Sequence, residues 1–120
     1  MLTRATTPPS GDAPLGTVKA IGVGLCELID QTGRPVSGHS VDWRGLPVLE
    51  ALGGVAPSVL EADVRAAALA EALLGAGTGR ESFLYVTVGT GISCCLMLGG
   101  RPHMGANGLT GTIASSPLGP

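Results

Sequence analysis

Short apolar runs alternate with glycine-rich and polar segments along the first half of the chain. Residues 18–25, VKAIGVGL, combine small and β-branched side chains and predict a buried strand. Residues 30–38 predict a turn followed by a short strand, and the next apolar run predicts a short helix ending at Gly53. A further short strand is predicted at 57–61.

The second half opens with an alanine- and leucine-rich run. Residues 64–74 predict a helix with Asp63 as its N-cap and Gly75 as its end. Only Arg65 and Glu71 are polar within this run, so we expect a mostly buried helix. From the pattern alone, Arg65 is a solvent-facing residue.

Two strands follow, over 82–88 and 92–98, joined by a tight connection at 89–91. Residues 99–103 predict a turn, and 105–112 a glycine-rich loop. This order of strands and helices favours an α/β fold.

Composition points to an uncovered surface. Hydrophobic residues make up 44% of the chain and charged residues only 13%, against roughly 25% charged residues in typical soluble domains. Much of the surface that this chain presents alone should therefore be apolar, which indicates self-association or a partner chain.

Charge and hydropathy exclude several classes of partner. The net charge is −2 and no Lys/Arg cluster occurs, so neither nucleic acid nor an anionic membrane is an expected partner. The N-terminus lacks the apolar region of a signal peptide. The uncharged run 82–100 approaches bilayer length, but its glycines and β-branched residues favour a β-hairpin over a membrane span.

The cysteines do not form a recognisable site. Cys26, Cys94 and Cys95 are an odd set without CxxC spacing, which predicts neither a disulfide framework nor a zinc site. A reducing, cytoplasmic setting is expected.

Three ordered stretches carry a family resemblance. Residues 21–30 (IGVGLCELID), 61–77 (EADVRAAALAEALLGAG) and 83–116 together resemble the ROK family of repressors, open reading frames and kinases. The resemblance covers roughly residues 18–116. It implies an α/β chain with a partial actin-like ATPase (ribonuclease H-like) sugar-kinase fold, in which a mixed sheet carries flanking helices.

The resemblance also implies a domain organisation. Residues 1–17 and 117–120 are expected to be tails, the first rich in Pro, Thr, Ser and Gly. Residues 18–78 would form the end of an N-terminal lobe, and 79–116 the start of a C-terminal lobe.

The second stretch resembles the family segment that holds the catalytic base. The resemblance implies that Asp63 is this base, whereas the residues alone favour a plain N-cap. Ala62 and Arg65 stand at two family asparagine positions. Arg65 would then be a cation that pairs with Asp63 or with an anionic ligand.

The third stretch resembles the family's phosphate-facing turn. The resemblance implies phosphate binding at Gly89, Thr90 and Gly91, although a hairpin turn needs glycine at positive φ without any phosphate. Cys94 and Cys95 replace family glycines after the turn, so their bulk could block a close approach.

The resemblance further implies a substrate pocket, whose residues are Glu61, Arg65, Asn107, Gly108, Thr112 and Ser115. Thr112 and Ser115 replace a family Glu and His that contact sugar, which predicts a reduced affinity for sugar. No zinc site is recognisable, and the family's opening phosphate hairpin is not found in these residues.

Three functional hypotheses follow. The first is a degenerate sugar-kinase-like protein, unable alone to phosphorylate hexoses with ATP, that retains a pocket for a small molecule or phosphate. The second is an active kinase, using ATP and Mg²⁺ with Asp63 as base, completed by self-association or a partner chain. The third is a scaffold reused for another reaction or ligand, with the exchanged residues 62, 65, 94, 95, 112 and 115 lining one new cavity.

Overall fold

A computed structural model describes residues 16–109, which form two small sheets with the longer helix between them. Most of both predicted tails lies outside the described residues. The elements in chain order are β1 (Ile21–Leu25), α1 (Val48–Gly53), β2 (Ser58–Ala62), α2 (Asp63–Leu74), β3 (Ser82–Val88), β4 (Ile92–Leu98) and β5 (Arg101–Pro102).

The first sheet is a parallel pair. Strand β1 runs beside β2 with Ile21 opposite Ser58 and Leu25 opposite Ala62. Both strands were predicted within one to three residues of their bounds. The crossover between them contains α1, which ends at Gly53 as predicted.

The turn after β1 replaces a predicted strand. Asp30 accepts hydrogen bonds from the amides of Thr32 and Arg34 at 2.8 and 3.1 Å. These bonds fold the chain back on itself, so within 30–38 the predicted strand is reduced to one isolated bridge between Ile29 and Pro35.

Helix α2 begins one residue earlier than predicted. Ala62 is the N-cap in extended conformation, and Asp63 is the first helical residue, so the N-cap prediction for Asp63 was wrong. The amide of Gly75 donates to the carbonyl of Glu71, which ends the helix as predicted. The helix is not mostly buried, because only Arg65 and Ala68 are buried within it.

The second sheet contains the predicted hairpin. Strands β3 and β4 pair antiparallel from Ser82–Leu98 to Val88–Ile92. Gly99 and Gly100 make the following turn with positive φ, and the chain then adds the short strand β5, where only a turn was predicted. No helix of the described part of the chain is long and apolar enough to cross a membrane.

Two buried clusters hold the fold together. The first comprises Leu25, Ile29, Leu60 and Ala62. The second comprises Ala68, Cys95 and Met97. Val64 of α2 packs against both clusters, so the helix joins the two sheets at its first turn.

Candidate functional site

Asp63 lies where the parallel pair ends and α2 begins. Gly24 of β1 lies close to it, since a Cβ added to Gly24 would lie 3.5 Å from the Asp63 Cα. Asp63 is exposed, and its Oδ1 accepts the amide of Val64 at 2.7 Å. Within residues 16–109 its other carboxylate oxygen accepts no hydrogen bond, so this oxygen can accept a proton or a hydroxyl hydrogen bond from a ligand.

A shallow depression of about 180 Å³ lies beside this carboxylate. It is lined by Asp63, Val64 and Ala67 from α2 and by Tyr85 and Thr87 from β3. The helix start that carries the carboxylate and the strand that leads into the 89–91 connection therefore share one surface.

The 89–91 connection is not the positive-φ turn expected from sequence. Gly89 has no positive φ, and a Cβ added there would meet nothing within 4 Å. Its amide donates to the carbonyl of Gly91 at 2.9 Å. The backbone does not require glycine at this position, and the exposed backbone there leaves room for a ligand.

The two cysteines after this connection lie on opposite faces of β4. Cys95 is buried in the second cluster, and burial raises the pKa of its thiol. Cys94 is half-buried and pairs with Val86 of β3. Cys95 therefore contributes bulk to the core and not to the exposed connection.

Arg65 is buried, at 3% exposure, and the prediction of a solvent-facing residue was wrong. Its Nη2 lies 2.6 Å from Oε1 of Glu61 and donates to the carbonyl of Ile29 at 2.5 Å. Its Nη1 donates to the carbonyl of Gly108 at 2.8 Å. The ion pair is made with Glu61 and not with Asp63, so Arg65 serves the fold and is not presented to an anionic ligand.

The glycine-rich loop lies against the turn after β1. Nε2 of Gln31 donates to the carbonyls of Gly105 and Ala106 at 3.2 and 3.0 Å. Asn107 is exposed and Gly108 is buried. Thr112 and Ser115, also predicted for the pocket, lie outside the described residues.

No group of three or more His, Cys, Asp or Glu residues within 16–109 is arranged to hold a metal ion.

Most of the chain matches a known protein family. The model of the ROK family matches residues 11–118. This chain belongs to the ROK family. A glucokinase of Halalkalibacterium halodurans is 32% identical over 96 residues, which are 78% of this chain and 29% of that protein.

Solved ROK structures share the fold. A ROK glucokinase from Streptomyces griseus, solved with glucose and AMPPNP, matches with a TM-score of 0.77 at 27% identity, over 86% of this chain and 34% of that one. A ROK hexokinase from Thermus thermophilus matches with a TM-score of 0.63 at 38% identity, over 78% and 31% of the two chains. The predicted partial actin-like fold is confirmed, and this ROK chain spans about a third of the length of these relatives.

Sequence reasoning missed Glu27 of the ROK chain. Glu27 is buried and accepts Ser37 Oγ at 2.5 Å and the amides of His39, Ser40 and Val41 at 2.9, 2.6 and 3.0 Å. Burial raises its pKa, but these hydrogen bonds outweigh that effect and bring the pKa to about 2. The available signal was a charged residue two positions after an apolar strand.

Proposed function

We propose that this chain is a degenerate ROK sugar-kinase-like protein that keeps the hydroxyl-binding side of the kinase site. Asp63 would accept the proton of a sugar hydroxyl, as a general base must. The observation that carries the proposal is the free carboxylate oxygen of Asp63 beside the depression shared with Tyr85 and Thr87. The ROK glucokinase solved with glucose and AMPPNP supports a sugar as the ligand class.

The nucleotide side is the weaker half of the proposed site. The amide of Gly89 is already used within the connection, so phosphate contact there would fall to Thr90 and Gly91. Bound ATP would supply the phosphoryl group, and Mg²⁺ would be held largely by its phosphates, as is usual for this ion. We therefore propose that the chain alone does not phosphorylate hexoses.

The test is ADP release by the purified chain with ATP, Mg²⁺ and a panel of hexoses and amino sugars, beside Asp63→Asn. We expect no sugar-dependent ADP from a folded wild-type chain, checked by circular dichroism. Glu81→Gln, an exposed carboxylate outside the depression, serves as the matched control. Sugar-dependent ADP formation that is retained in Glu81→Gln and lost in Asp63→Asn would overturn the proposed loss of activity.

A second candidate is an active kinase completed by self-association. It is favoured by an exposed apolar face on the hairpin, made of Leu84, Val86, Val88, Ile92, Leu96 and Leu98. Turnover would then rise with the fraction of oligomer measured by light scattering. A folded, strictly monomeric chain that shows no such rise contradicts this candidate.

The described residues do not support reuse of the scaffold for another ligand. That hypothesis requires the exchanged residues to converge on one cavity. Ala62 belongs to the first cluster, Cys95 to the second, and Arg65 is bonded to the Glu61 carboxylate and to the backbone carbonyls of Ile29 and Gly108. We do not propose it further.

A further inference from the structure

One guanidinium joins three distant segments of the chain. Arg65 bonds Glu61 at the end of β2, the carbonyl of Ile29 after β1, and the carbonyl of Gly108 in the glycine-rich loop. Its Nη1 also contacts Sδ of Met104 at 3.1 Å. The contacts to Ile29 and Gly108 span 36 and 43 residues of sequence, so this side chain fixes tertiary positions and not local helix structure.

The shape of arginine suits this position. Its two terminal nitrogens diverge in a planar fork, so one side chain donates to carbonyls in two different segments, whereas the ammonium of lysine is a single point charge. Nε of Arg65 is buried without a partner among the described residues. The side chain is therefore held by its terminal nitrogens alone.

A second side chain holds the same loop. Gln31, exposed beside the turn after β1, donates to the carbonyls of Gly105 and Ala106. Between these contacts the backbones approach closely, since a Cβ added to Gly108 would lie 2.9 Å from the amide nitrogen of Gln31. The loop is thus bound at both ends of its 105–108 span.

We infer that Arg65, Glu61 and Gln31 form a clasp that positions the 105–108 loop for ligand binding. The clasp is built on the same β2–α2 junction that carries Asp63, so the loop and the carboxylate share one anchor. Arg65 and Gln31 are positioning residues, which act on ligand through exposed Asn107. The ligand part of this inference rests on the proposed sugar site.

The test measures backbone order in the full chain by ¹⁵N relaxation, for wild type, Arg65→Lys, Gln31→Ala and the control Arg80→Lys. Arg80 is exposed, and its side chain makes no hydrogen bond within the described residues. We expect order parameters at 105–108 to fall from about 0.85 to below about 0.6 in the first two variants. Those at the centre of α2 should stay unchanged, and Arg80→Lys should match wild type.

A glucose titration followed by the same amide signals gives the functional readout. We expect the apparent Kd for glucose to rise about tenfold in Arg65→Lys and Gln31→Ala. This is the change expected when a loop loses about one of the hydrogen bonds that hold it in its binding conformation. Asp63→Asn should leave the loop ordered.

Several results would overturn the inference. Unchanged order parameters at 105–108 in folded Arg65→Lys and Gln31→Ala exclude the clasp. An equal loss of order at 105–108 and at the centre of α2 also excludes it, because the two side chains would then stabilise the whole fold and not the loop. If Arg65→Lys does not fold, Gln31→Ala decides, and an ordered loop in that variant overturns the inference. Absence of glucose binding by wild type refutes the proposed sugar site and the clasp's ligand role, while the order parameters still decide whether the loop is held.

Discussion

Glu27 remains a charged carboxylate inside the fold because its surroundings supply four donors. Three of these are backbone amides of residues 39–41, and the fourth is the hydroxyl of Ser37. Such donors replace the water that burial removes, and they favour the ionised form. The carboxylate consequently fixes the path of the loop between the turn and α1.

The stability that Glu27 contributes should depend on pH. Its folded pKa of about 2 lies below the ordinary value of 4.5, so the contribution is fully present above about pH 4.5 and is lost as pH falls through 2. We expect Glu27→Gln to lower the free energy of unfolding by about 2 kcal/mol near pH 7. Urea denaturation at several pH values should show this difference shrinking toward pH 2.

The exposed Glu81 provides the control for this prediction. A Glu81→Gln variant should unfold like wild type near neutral pH. A constant difference between Glu27→Gln and wild type from neutral pH down to pH 2 would contradict the prediction.

At the level of single residues, sequence located the candidate base but not the buried charges. Asp63 directly follows β2 and is the first residue of α2, and this local strand-to-helix pattern fixed its place within one residue. Hydrogen-bond donors compensate for the burial of the Glu27 carboxylate. These donors lie 10 to 14 residues away in sequence, so the local pattern does not reveal them. The carbonyls of Gly108 and Ile29 that Arg65 bonds lie 43 and 36 residues away, and no periodicity encodes contacts of that kind.

Secondary-structure elements were foreseen best where they rest on local contacts. Helix α2 follows from an alanine-rich run, and the β3–β4 hairpin follows from two short apolar runs, of which only the first is rich in β-branched and aromatic residues. β5 was missed because it is two residues long and includes Pro102, which gives no strand signal. The placement of the glycine-rich loop against residues 29–31 depends on tertiary contacts and could not be read from its own sequence.

The close packing of that loop predicts different costs at two glycines of similar conformation. Gly108 and Gly79 have φ of 72° and 73°, but only at Gly108 does an added Cβ meet other atoms, whereas the space at Gly79 is open. Alanine at Gly79 should cost about 1 kcal/mol for the left-handed backbone. Alanine at Gly108 should cost about 2 to 3 kcal/mol, because overpacking adds to the strain.

Urea denaturation of the two variants measures these costs directly. Equal destabilisation by Gly79→Ala and Gly108→Ala would show that the loop does not pack against Gln31 as described.

Residues 16–109 form two sheets on either side of α2, and among these residues one face of the hairpin sheet stays uncovered. The low fraction of charged residues predicted an exposed apolar surface. The order of apolar and polar residues could not locate this surface, because both faces of β3 carry apolar side chains. Phe83 and Tyr85 pack toward α2, while Leu84 and Val86 remain exposed. The family match predicted the overall fold, which the composition alone could only assign to the α/β class.

Self-association through this face is a testable property of the whole molecule. Val86 is 47% exposed on an edge strand, and Val86→Lys should shift the chain toward monomer by placing charge in an apolar contact. Sedimentation at several concentrations measures the shift. Val55→Lys, at a 63% exposed valine away from the hairpin, is the control. Equal behaviour of both variants would exclude the hairpin face as the contact.

The parallel register of β1 and β2 has a consequence for synthesis of the chain on the ribosome. The hairpin pairs neighbouring residues, with Val88 opposite Ile92, so it can close as soon as β4 is made. Among the strands described in residues 16–109, β1 is translated before the others, yet its partner starts only at Ser58. The backbone N–H and C=O groups of β1 must therefore stay unpaired with β2 while the entire crossover is translated. Of the described strands, β1 thus depends more than the hairpin strands on protection in the nascent chain.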